Sequence, residues 1–268
     1  MKSTNNSFNL STTRLNDVNE IMNLIESPKL FQSKEWIMSI KEGINHNPFA
    51  LLTSYKNRKI QLNIFWKRNY FYFIKIAGSP IPGSFTPYID PIYFEDIEDT
   101  LKQKILNHQY IYLKSHGFNF INQSTSQKCN YEKSLNLNFL RYDNKSTYLI
   151  KIISDREKMW NHISSRARNS IRKSIKSNVV VSKMEANKNE INFFYAMLKD
   201  TFLKRKVLPF HSLKLFQSIA KNLSINKLLI LQAKVADEII SIGWFIFDNE
   251  EIHYLSGYSV AASYTGNT

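Results

Sequence analysis

The segment from Asp155 to Ser177 holds the residues whose types and spacing point most clearly to chemistry. Residues 151–183 carry nine basic and two acidic side chains, which is half of the formal net charge of +14. The cations recur at helical spacing: Arg166, Arg168, Arg172, Lys173 and Lys176. Guanidinium groups bind phosphate oxygens in a bidentate way, and crowded cations repel one another unless an anion is present. The segment therefore predicts contacts with substrate phosphates, and a solvated basic helix face is the alternative.

A second candidate is the segment from Ala77 to Pro91, which contains two of the seven glycines and four of the seven prolines. Such a composition predicts an ordered loop. Its polar side chains would stand on a stiff support beside strand ends, where substrate contacts are often built. These side chains are Ser84, Thr86, Tyr88 and Asp90. A rigid loop that only covers the sheet is the alternative.

A third candidate is the end of the last predicted strand, where Tyr254, Ser256 and Gly257 follow one another closely. These residues predict an edge that lines a substrate, or else an ordinary turn. The six histidines have no metal-like spacing, so no metal site is expected. Phosphate-binding loops, dinucleotide-binding glycine patterns, zinc-protease motifs and serine-hydrolase motifs are all absent from the sequence.

The elements that must position these residues follow from hydrophobic periodicity. The predicted helices cover 18–25, 31–40, 98–108, 155–177, 187–205 and 213–223. The predicted strands cover 49–55, 60–66, 70–77, 110–113, 118–121, 147–153, 179–183, 228–235, 238–248 and 251–258. The apolar stripe of the helix 155–177 is expected to lie in the core: Trp160, Ile163, Ala167, Ile171 and Ile175. A domain boundary is expected near residue 145.

Composition limits the class of protein. With 268 residues, of which 43% are hydrophobic, the chain can bury one large core or two ordinary ones. The single cysteine, Cys129, cannot form an internal disulfide, which fits a reducing compartment. No stretch is long and apolar enough to span a membrane, so a cytoplasmic location is expected.

Four patterns in this order resemble the Fem-type (FemABX) aminoacyltransferases of peptidoglycan bridge formation and the related GNAT-like acyltransferases. The first is Phe31 to Trp36, which is similar to an F-Q-S-x-x-W pattern. The second is Gly78 to Pro91, with Thr86, Pro87 and Tyr88. The third runs from Trp160 to Val181 and resembles R-x-x-I-R-K followed by a valine strand. The fourth pairs Phe202, Arg205 and Pro209 with Tyr254 to Gly257.

The resemblance implies an α/β (α+β) chain of two GNAT-like domains, 1–145 and 146–268, with mixed, mostly antiparallel sheets flanked by helices. The second domain is expected to be incomplete at its C-terminus. The implied activity is transfer of an activated acyl or aminoacyl group to an amine of a phosphate-bearing acceptor, such as a cell-wall or polysaccharide precursor. Substrate contacts are then expected from Thr86, Tyr88, Arg168, Arg172, Lys173, Lys176, Tyr254 and Ser256.

The resemblance implies no tightly bound cofactor; acyl-CoA or aminoacyl-tRNA would be the co-substrate, and tRNA a possible carrier of the donor. The acceptor would be a small-molecule or nucleotide-linked substrate. Neither a general base nor an oligomeric state can be assigned from the residues. An acyl-CoA-dependent N-acyltransferase acting on another small amine is one alternative. A nucleic-acid-binding protein without enzymatic activity and a catalytically inactive remnant are the others.

Overall fold

This computed structural model describes residues 9–70, 73–126 and 145–260. The chain divides into two compact units: Met1–Tyr142 with Phe210–Leu223, and Asp143–Pro209 with Ser224–Thr268. Both units combine helices with mainly antiparallel sheets, which confirms the predicted α+β class. Cys129 and the C-terminal residues 264–268 lie outside the described residues. The predictions that concern a disulfide and an incomplete second domain depend on them.

The first unit is built on one sheet, whose strands are β1 (Leu10–Leu15), β2 (Asn47–Tyr55), β3 (Arg58–Tyr70), β4 (Ile74–Ser79), β5 (Ile92–Tyr93) and β6 (Phe120–Gln123). Their order is β1-β2-β3-β4-β6, and β5 also pairs with β3. All described pairs are antiparallel except β4 with β6. The predicted meander of three consecutive strands is therefore confirmed, with shifted ends.

Three helices precede or follow strands of this sheet: α1 (Val18–Met22), α2 (Lys34–Ile44) and α3 (Asp99–Ser115). A short 3₁₀ turn, Leu30–Gln32, leads into α2, whose N-terminus is capped by the Ser33 hydroxyl. One apolar cluster forms where α3 and the chain that follows it pack on the sheet. Its buried members are Phe49, Leu51, Phe65, Ala77, Leu113 and Phe118.

The predicted strand 110–113 is wrong, because these residues continue α3. The aromatic and β-branched residues of this stretch favour a strand in isolation. In the folded unit, however, Ile105, Gln109 and Leu113 are spaced four residues apart and are all buried. Burial of one helix face therefore overrides the local β-propensity.

Helix α7 (Leu213–Asn222) belongs to the first unit, although the division at residue 145 assigns it to the second domain. It packs against α2 so closely that a Cβ added to Gly43 would lie 2.8 Å from Leu215 Cα. Lys221 Nζ also forms an ion pair with Glu42 at 2.9 Å. The sequence periodicity finds this helix but contains no information on which sheet it joins.

The second unit contains an antiparallel sheet of the strands β7 (Val179–Lys183), β8 (Leu228–Val235), β9 (Glu238–Phe247) and β10 (Ile252–Ser259). Their order in the sheet is β10-β9-β8-β7. Helix α6 (Lys188–Lys204) packs on one face of this sheet, where the ring of Phe194 lies 5.4 Å from that of Trp244. The four strands and α6 are placed as the sequence predicts.

The segment before β7 differs from the prediction in three ways. Residues 147–153 form no strand, and Tyr148 is fully exposed. The predicted helix 155–177 is two helices, α4 (Arg156–His162) and α5 (Ser165–Lys176), because the chain turns at Ile163 and the Ser164 hydroxyl caps α5. Neither helix has a buried residue, so the prediction that its apolar stripe lies in the core is wrong.

Candidate functional site

The loop that follows β4 is ordered and tightly folded. It begins at Gly78, where an added Cβ would lie 2.7 Å from Ile81 Cα and 2.9 Å from Pro80 O. Because both of these are backbone atoms, a larger residue cannot be accommodated without moving the loop. The Ser79–Pro80 peptide bond within it is cis. The loop is therefore ordered, as its glycine and proline content predicts.

Trp36 of α2 holds the middle of this loop. Its indole Nε1–H donates to Thr86 Oγ1 at 3.0 Å, and the Trp36 side chain is completely buried. The Thr86 hydroxyl in turn donates to Ser84 O at 3.2 Å. The Thr86 hydroxyl therefore holds the loop together. Its expected contact with substrate stays a prediction.

The end of the loop is held by the residues just before α2. Gln32 Nε2 donates to Asp90 O at 2.9 Å, and the ring of Phe31 meets the ring of Tyr88 edge-on at 5.6 Å. The Asp90 carboxylate accepts hydrogen bonds from the backbone N–H and the hydroxyl of Ser126. The first two sequence patterns of the resemblance thus form one structural assembly, in which Tyr88 is only partly exposed.

A cluster that sequence reasoning missed lies on the Phe85 side of the same loop. Phe85 adopts a φ of 59°, and its ring stacks on His211 with centroids 3.3 Å apart and meets Phe216 at 5.3 Å. Burial lowers the pKa of His211 to about 4, so its imidazole is neutral at physiological pH. The sequence signal was weak, because His211 lies 126 positions from Phe85.

In the second unit, Arg168 acts at the junction of α4 and α5. Its Nη1 donates to three backbone carbonyl groups, those of Trp160, Asn161 and Ile163, at 3.4, 3.2 and 2.9 Å. These carbonyls lie at the end of α4, where helical partners run out. Arg168 Nη1 therefore holds the start of α5 against the end of α4.

The other predicted phosphate-binding cations differ from Arg168. The guanidinium of Arg172 lies over the indole of Trp160, 5.4 Å from its centroid, and donates to Asn169 Oδ1 at 3.1 Å. Lys173 and Lys176 occupy the last turn of α5 and are exposed to solvent. The two lysines are thus open to an anion, and Arg172 is held in place by an aromatic ring.

A shallow cavity of about 320 Å³ lies on the second sheet. Gly243 and Gly257 line it together with apolar and polar side chains: Val181, Leu231, Gln232, Ala233, Ser241, Ile242, Phe245, Tyr254, Tyr258 and Ser259. A Cβ added to Gly257 would meet the Tyr254 hydroxyl and would lie 2.8 Å from Ile242 O. The absence of a side chain at Gly257 therefore lets the Tyr254 ring lie against the sheet.

Strand β10 contains a β-bulge beside this cavity. In the register with β9, Tyr254 pairs with Phe245 and Ser256 pairs with Trp244, which leaves Leu255 as the extra residue. A bulge interrupts the hydrogen-bond ladder and redirects the neighbouring side chains. Burial raises the pKa of Tyr254, so its phenol stays protonated. Tyr254 lines the cavity, whereas Ser256 is not among the lining residues.

The predicted substrate residues thus fall into three groups. Thr86 and Tyr88 lie in the loop of the first unit, the four cations lie on α5, and Tyr254 and Ser256 lie on β10 of the second unit. Within the described residues, no group of three or more His, Cys, Asp or Glu side chains could hold a metal ion. No helix in the described part of the chain is long and apolar enough to cross a membrane.

Comparisons with known proteins show a likeness in structure only. No protein-family model matches the chain, and no curated protein matches it. A solved structure described as "Crystal structure of FemX" matches with a TM-score of 0.58 at 9% sequence identity. The fold is FemX-like. The match covers 94% of this chain and 81% of the FemX chain, so the likeness extends over both units.

Proposed function

We propose that this protein transfers an activated acyl or aminoacyl group to an amine of a phosphate-bearing acceptor, such as a cell-wall or polysaccharide precursor. The observation that carries the proposal is the β10 bulge beside an open cavity, in a chain with a FemX-like fold. The four sequence patterns that resemble Fem-type aminoacyltransferases support the same class of reaction. Acyl-CoA or aminoacyl-tRNA is the proposed donor.

The chemistry requires positioning rather than a covalent enzyme intermediate. The amine nitrogen bonds to the carbonyl carbon of the donor, and the bond from that carbon to the carrier's sulfur or oxygen breaks. The amine loses a proton to solvent, and the released carrier takes up a proton to leave as a thiol or hydroxyl group. Negative charge develops on the carbonyl oxygen in between, and backbone N–H groups are suited to stabilise it. The proposed donors are the backbone N–H groups at the β10 bulge, where the regular ladder is interrupted beside the cavity.

Tyr254 is the side chain best placed to act on the reacting groups. Because its phenol stays protonated, its hydroxyl can donate a hydrogen bond to the donor carbonyl or accept one from the amine. Its ring lies 5.4 Å from the ring of Phe245, which restricts its position. Arg172, Lys173 and Lys176 would bind phosphate groups of the donor or the acceptor.

The first experiment is a thermal-shift screen of the purified chain with acyl-CoAs, aminoacyl-tRNA and nucleotide-linked muropeptides or sugars. A ligand at 100 times its Kd adds about 2.7 kcal/mol to the free energy of unfolding, which is readily detected. A shift with a nucleotide-linked acceptor or with aminoacyl-tRNA supports the Fem-type activity. A shift with acyl-CoA alone assigns the protein to the broader group of N-acyltransferases.

Two results contradict the proposal, one from this screen and one from a salt titration of nucleic-acid binding. The first is a chain that melts cooperatively and shifts with none of these ligands. The second is retention of arbitrary RNA or DNA whose log affinity falls steeply and linearly with log salt, since this is the behaviour of a nucleic-acid-binding protein. Arg172→Glu provides the check on the phosphate contacts: it should weaken anion binding with little change in the melting temperature.

A further inference from the structure

A chain of hydrogen-bonded polar side chains crosses the interior of the first unit beneath α3. It starts at His108, whose Nδ1 lies 3.0 Å from Thr12 Oγ1, and the Thr12 hydroxyl lies 3.1 Å from Thr53 Oγ1. Gln109 Nε2 then donates to Thr53 Oγ1 at 2.9 Å and to Gln61 Oε1 at 2.7 Å. The chain thus joins a partly buried histidine to a fully buried glutamine.

Beyond Gln109 the network of hydrogen bonds continues to the start of the Gly/Pro loop. Asn63 Nδ2 donates to Gln109 Oε1 at 3.2 Å, and the Ser79 hydroxyl lies 3.5 Å from Asn63 Oδ1. Thr53, Asn63, Ser79 and Gln109 are completely inaccessible to solvent, and Gln61 is 2% exposed. Because an unpaired polar group at such a depth is costly, the directions of these hydrogen bonds are coupled to one another.

One set of directions satisfies every hydroxyl proton of the chain. Both protons of Gln109 Nε2 are donated, to Thr53 and to Gln61. The Thr53 hydroxyl proton must then go to Thr12, and the Thr12 proton must go to His108 Nδ1. This state requires a neutral imidazole that carries its proton on Nε2.

The opposite set of directions also pairs a donor with an acceptor at every contact from His108 to Ser79, and it is the one that a charged imidazole requires. Protonated His108 donates from Nδ1 to Thr12, Thr12 donates to Thr53, and Thr53 must donate to Gln109. Gln109 can accept only if its side-chain amide turns over and presents Oε1. The amides of Gln61 and Asn63 must then turn as well, after which Asn63 Nδ2 donates to the Ser79 hydroxyl.

We propose that this network is a two-state hydrogen-bond relay that links protonation of His108 to the hydrogen bonding of Ser79 at the base of the Gly/Pro loop. The inference goes beyond the proposed transferase activity and does not depend on it. In either state each hydrogen bond from His108 to Ser79 joins one donor to one acceptor, and in the second state the Ser79 hydroxyl proton is released from Asn63. A mixture of the two states would leave a buried donor facing a donor, which makes the change all-or-none.

The surroundings of His108 favour the neutral state at physiological pH. Lys104 and Tyr112 lie one turn away on α3, and Arg14 and Tyr55 lie two residues along β1 and β2 from the threonines of the chain. None of these groups is negatively charged at neutral pH, and burial lowers the pKa of His108. The relay is therefore expected to switch only when the pH falls below the ordinary pKa range of histidine.

Nuclear magnetic resonance of the whole chain tests the relay. At pH 7.5 the long-range ¹⁵N–¹H spectrum should show His108 protonated on Nε2 alone. During acidification, the side-chain amide signals of Gln61, Asn63 and Gln109 should shift with the midpoint of the His108 ring. The side-chain amide of Gln103, which lies on α3 but outside the hydrogen-bond network, should not share that midpoint.

Thr53→Val removes the hydroxyl link and should abolish the shared midpoint at Asn63, while His108 itself still titrates. The matched control is Thr13→Val, because Thr13 lies next to Thr12 on β1 but is exposed. Two results with the unmodified chain overturn the proposal, so it does not depend on the variants folding. One is a set of amide chemical shifts that do not change at the midpoint of the His108 titration. The other is neutral His108 protonated on Nδ1, since the second proton would then add at Nε2 without changing the network.

Discussion

Substitution of Gln109 by leucine should destabilise the first unit by about 3 kcal/mol. The change removes a buried amide that makes hydrogen bonds to Thr53, Gln61 and Asn63. Leucine leaves the Gln61 carbonyl oxygen and an Asn63 amide proton buried without their partner, at a cost of roughly 1–3 kcal/mol each. The greater hydrophobicity of leucine offsets about 1 kcal/mol of this loss.

Urea unfolding monitored by hydrogen exchange in peptides of β2 and β3 measures this loss in the unit concerned. Gln103→Leu on the same helix is the matched control, because Gln103 is only partly buried and lies outside the network; its effect should be within about 0.5 kcal/mol. Adding Gln61→Leu and Asn63→Leu to Gln109→Leu should recover part of the stability, since apolar replacement of all partners leaves fewer unpaired groups. Equal effects of Gln109→Leu and Gln103→Leu would refute the reasoning.

Three further predictions concern the loop and the helix junction. Trp36→Phe should cost about 2 kcal/mol of the free energy of unfolding, and a double-mutant cycle with Thr86→Val should show a coupling of about 1 kcal/mol; additive effects would mean that the indole hydrogen bond contributes nothing. Burial lowers the pKa of His211 from 6.5 to about 4. The neutral imidazole therefore makes its full contribution to the free energy of unfolding above pH 6.5, and this contribution is lost as the pH falls toward 4. After allowance for partial exposure this loss is about 1–2 kcal/mol. In unfolding curves measured between these pH values, His211→Phe should lose less stability on acidification than the unmodified chain. The same pH dependence in both proteins would contradict the lowered pKa of His211. Arg168→Ala should lower the stability of the second unit by about 1–2 kcal/mol without changing its affinity for pyrophosphate, and a loss of affinity alone would return Arg168 to the phosphate site.

The fold was largely predictable because its elements have strong periodicity. The three-strand meander of the first unit and strands β7 to β10 follow alternating or continuous apolar runs, and α6 follows a helical spacing. The predicted secondary structure is wrong where tertiary contacts, rather than local periodicity, determine the structure. Burial turns residues 110–113 into helix, and the Ser164 cap divides the predicted helix 155–177.

The candidate site was predictable as residue groups but not as contacts. The loop 77–91 is identified by its glycines and prolines, yet nothing in the sequence shows that Trp36 donates to Thr86 or that Arg168 donates to carbonyls of its own helix junction. The buried glutamine of the polar network was missed because a single polar residue on a helix is ordinarily read as exposed. Trp36 and Thr86 are 50 positions apart, so residue spacing cannot reveal their contact, and the Arg168 contacts depend on the break between α4 and α5, which the sequence did not predict.

The central claim is that acyl transfer takes place at the cavity beside the β10 bulge. The most direct measurement is the single-turnover rate of transfer from a radiolabelled donor, taken with the donor and acceptor that the thermal-shift screen identifies. Tyr254→Phe and Gly257→Ala should each lower this rate tenfold or more, which corresponds to about 1.4 kcal/mol, because one removes the hydroxyl and the other displaces the ring. The melting temperature of Tyr254→Phe should change little, whereas that of Gly257→Ala should fall, because the new Cβ would also lie 2.8 Å from the backbone oxygen of Ile242.

Tyr70→Phe is the control for the loss of a phenol, because Tyr70 is exposed on the first unit. Tyr70→Phe should transfer at the rate of the unmodified chain, while both cavity variants should be slow. Unchanged rates in Tyr254→Phe and Gly257→Ala would contradict the placement of the reaction at this cavity.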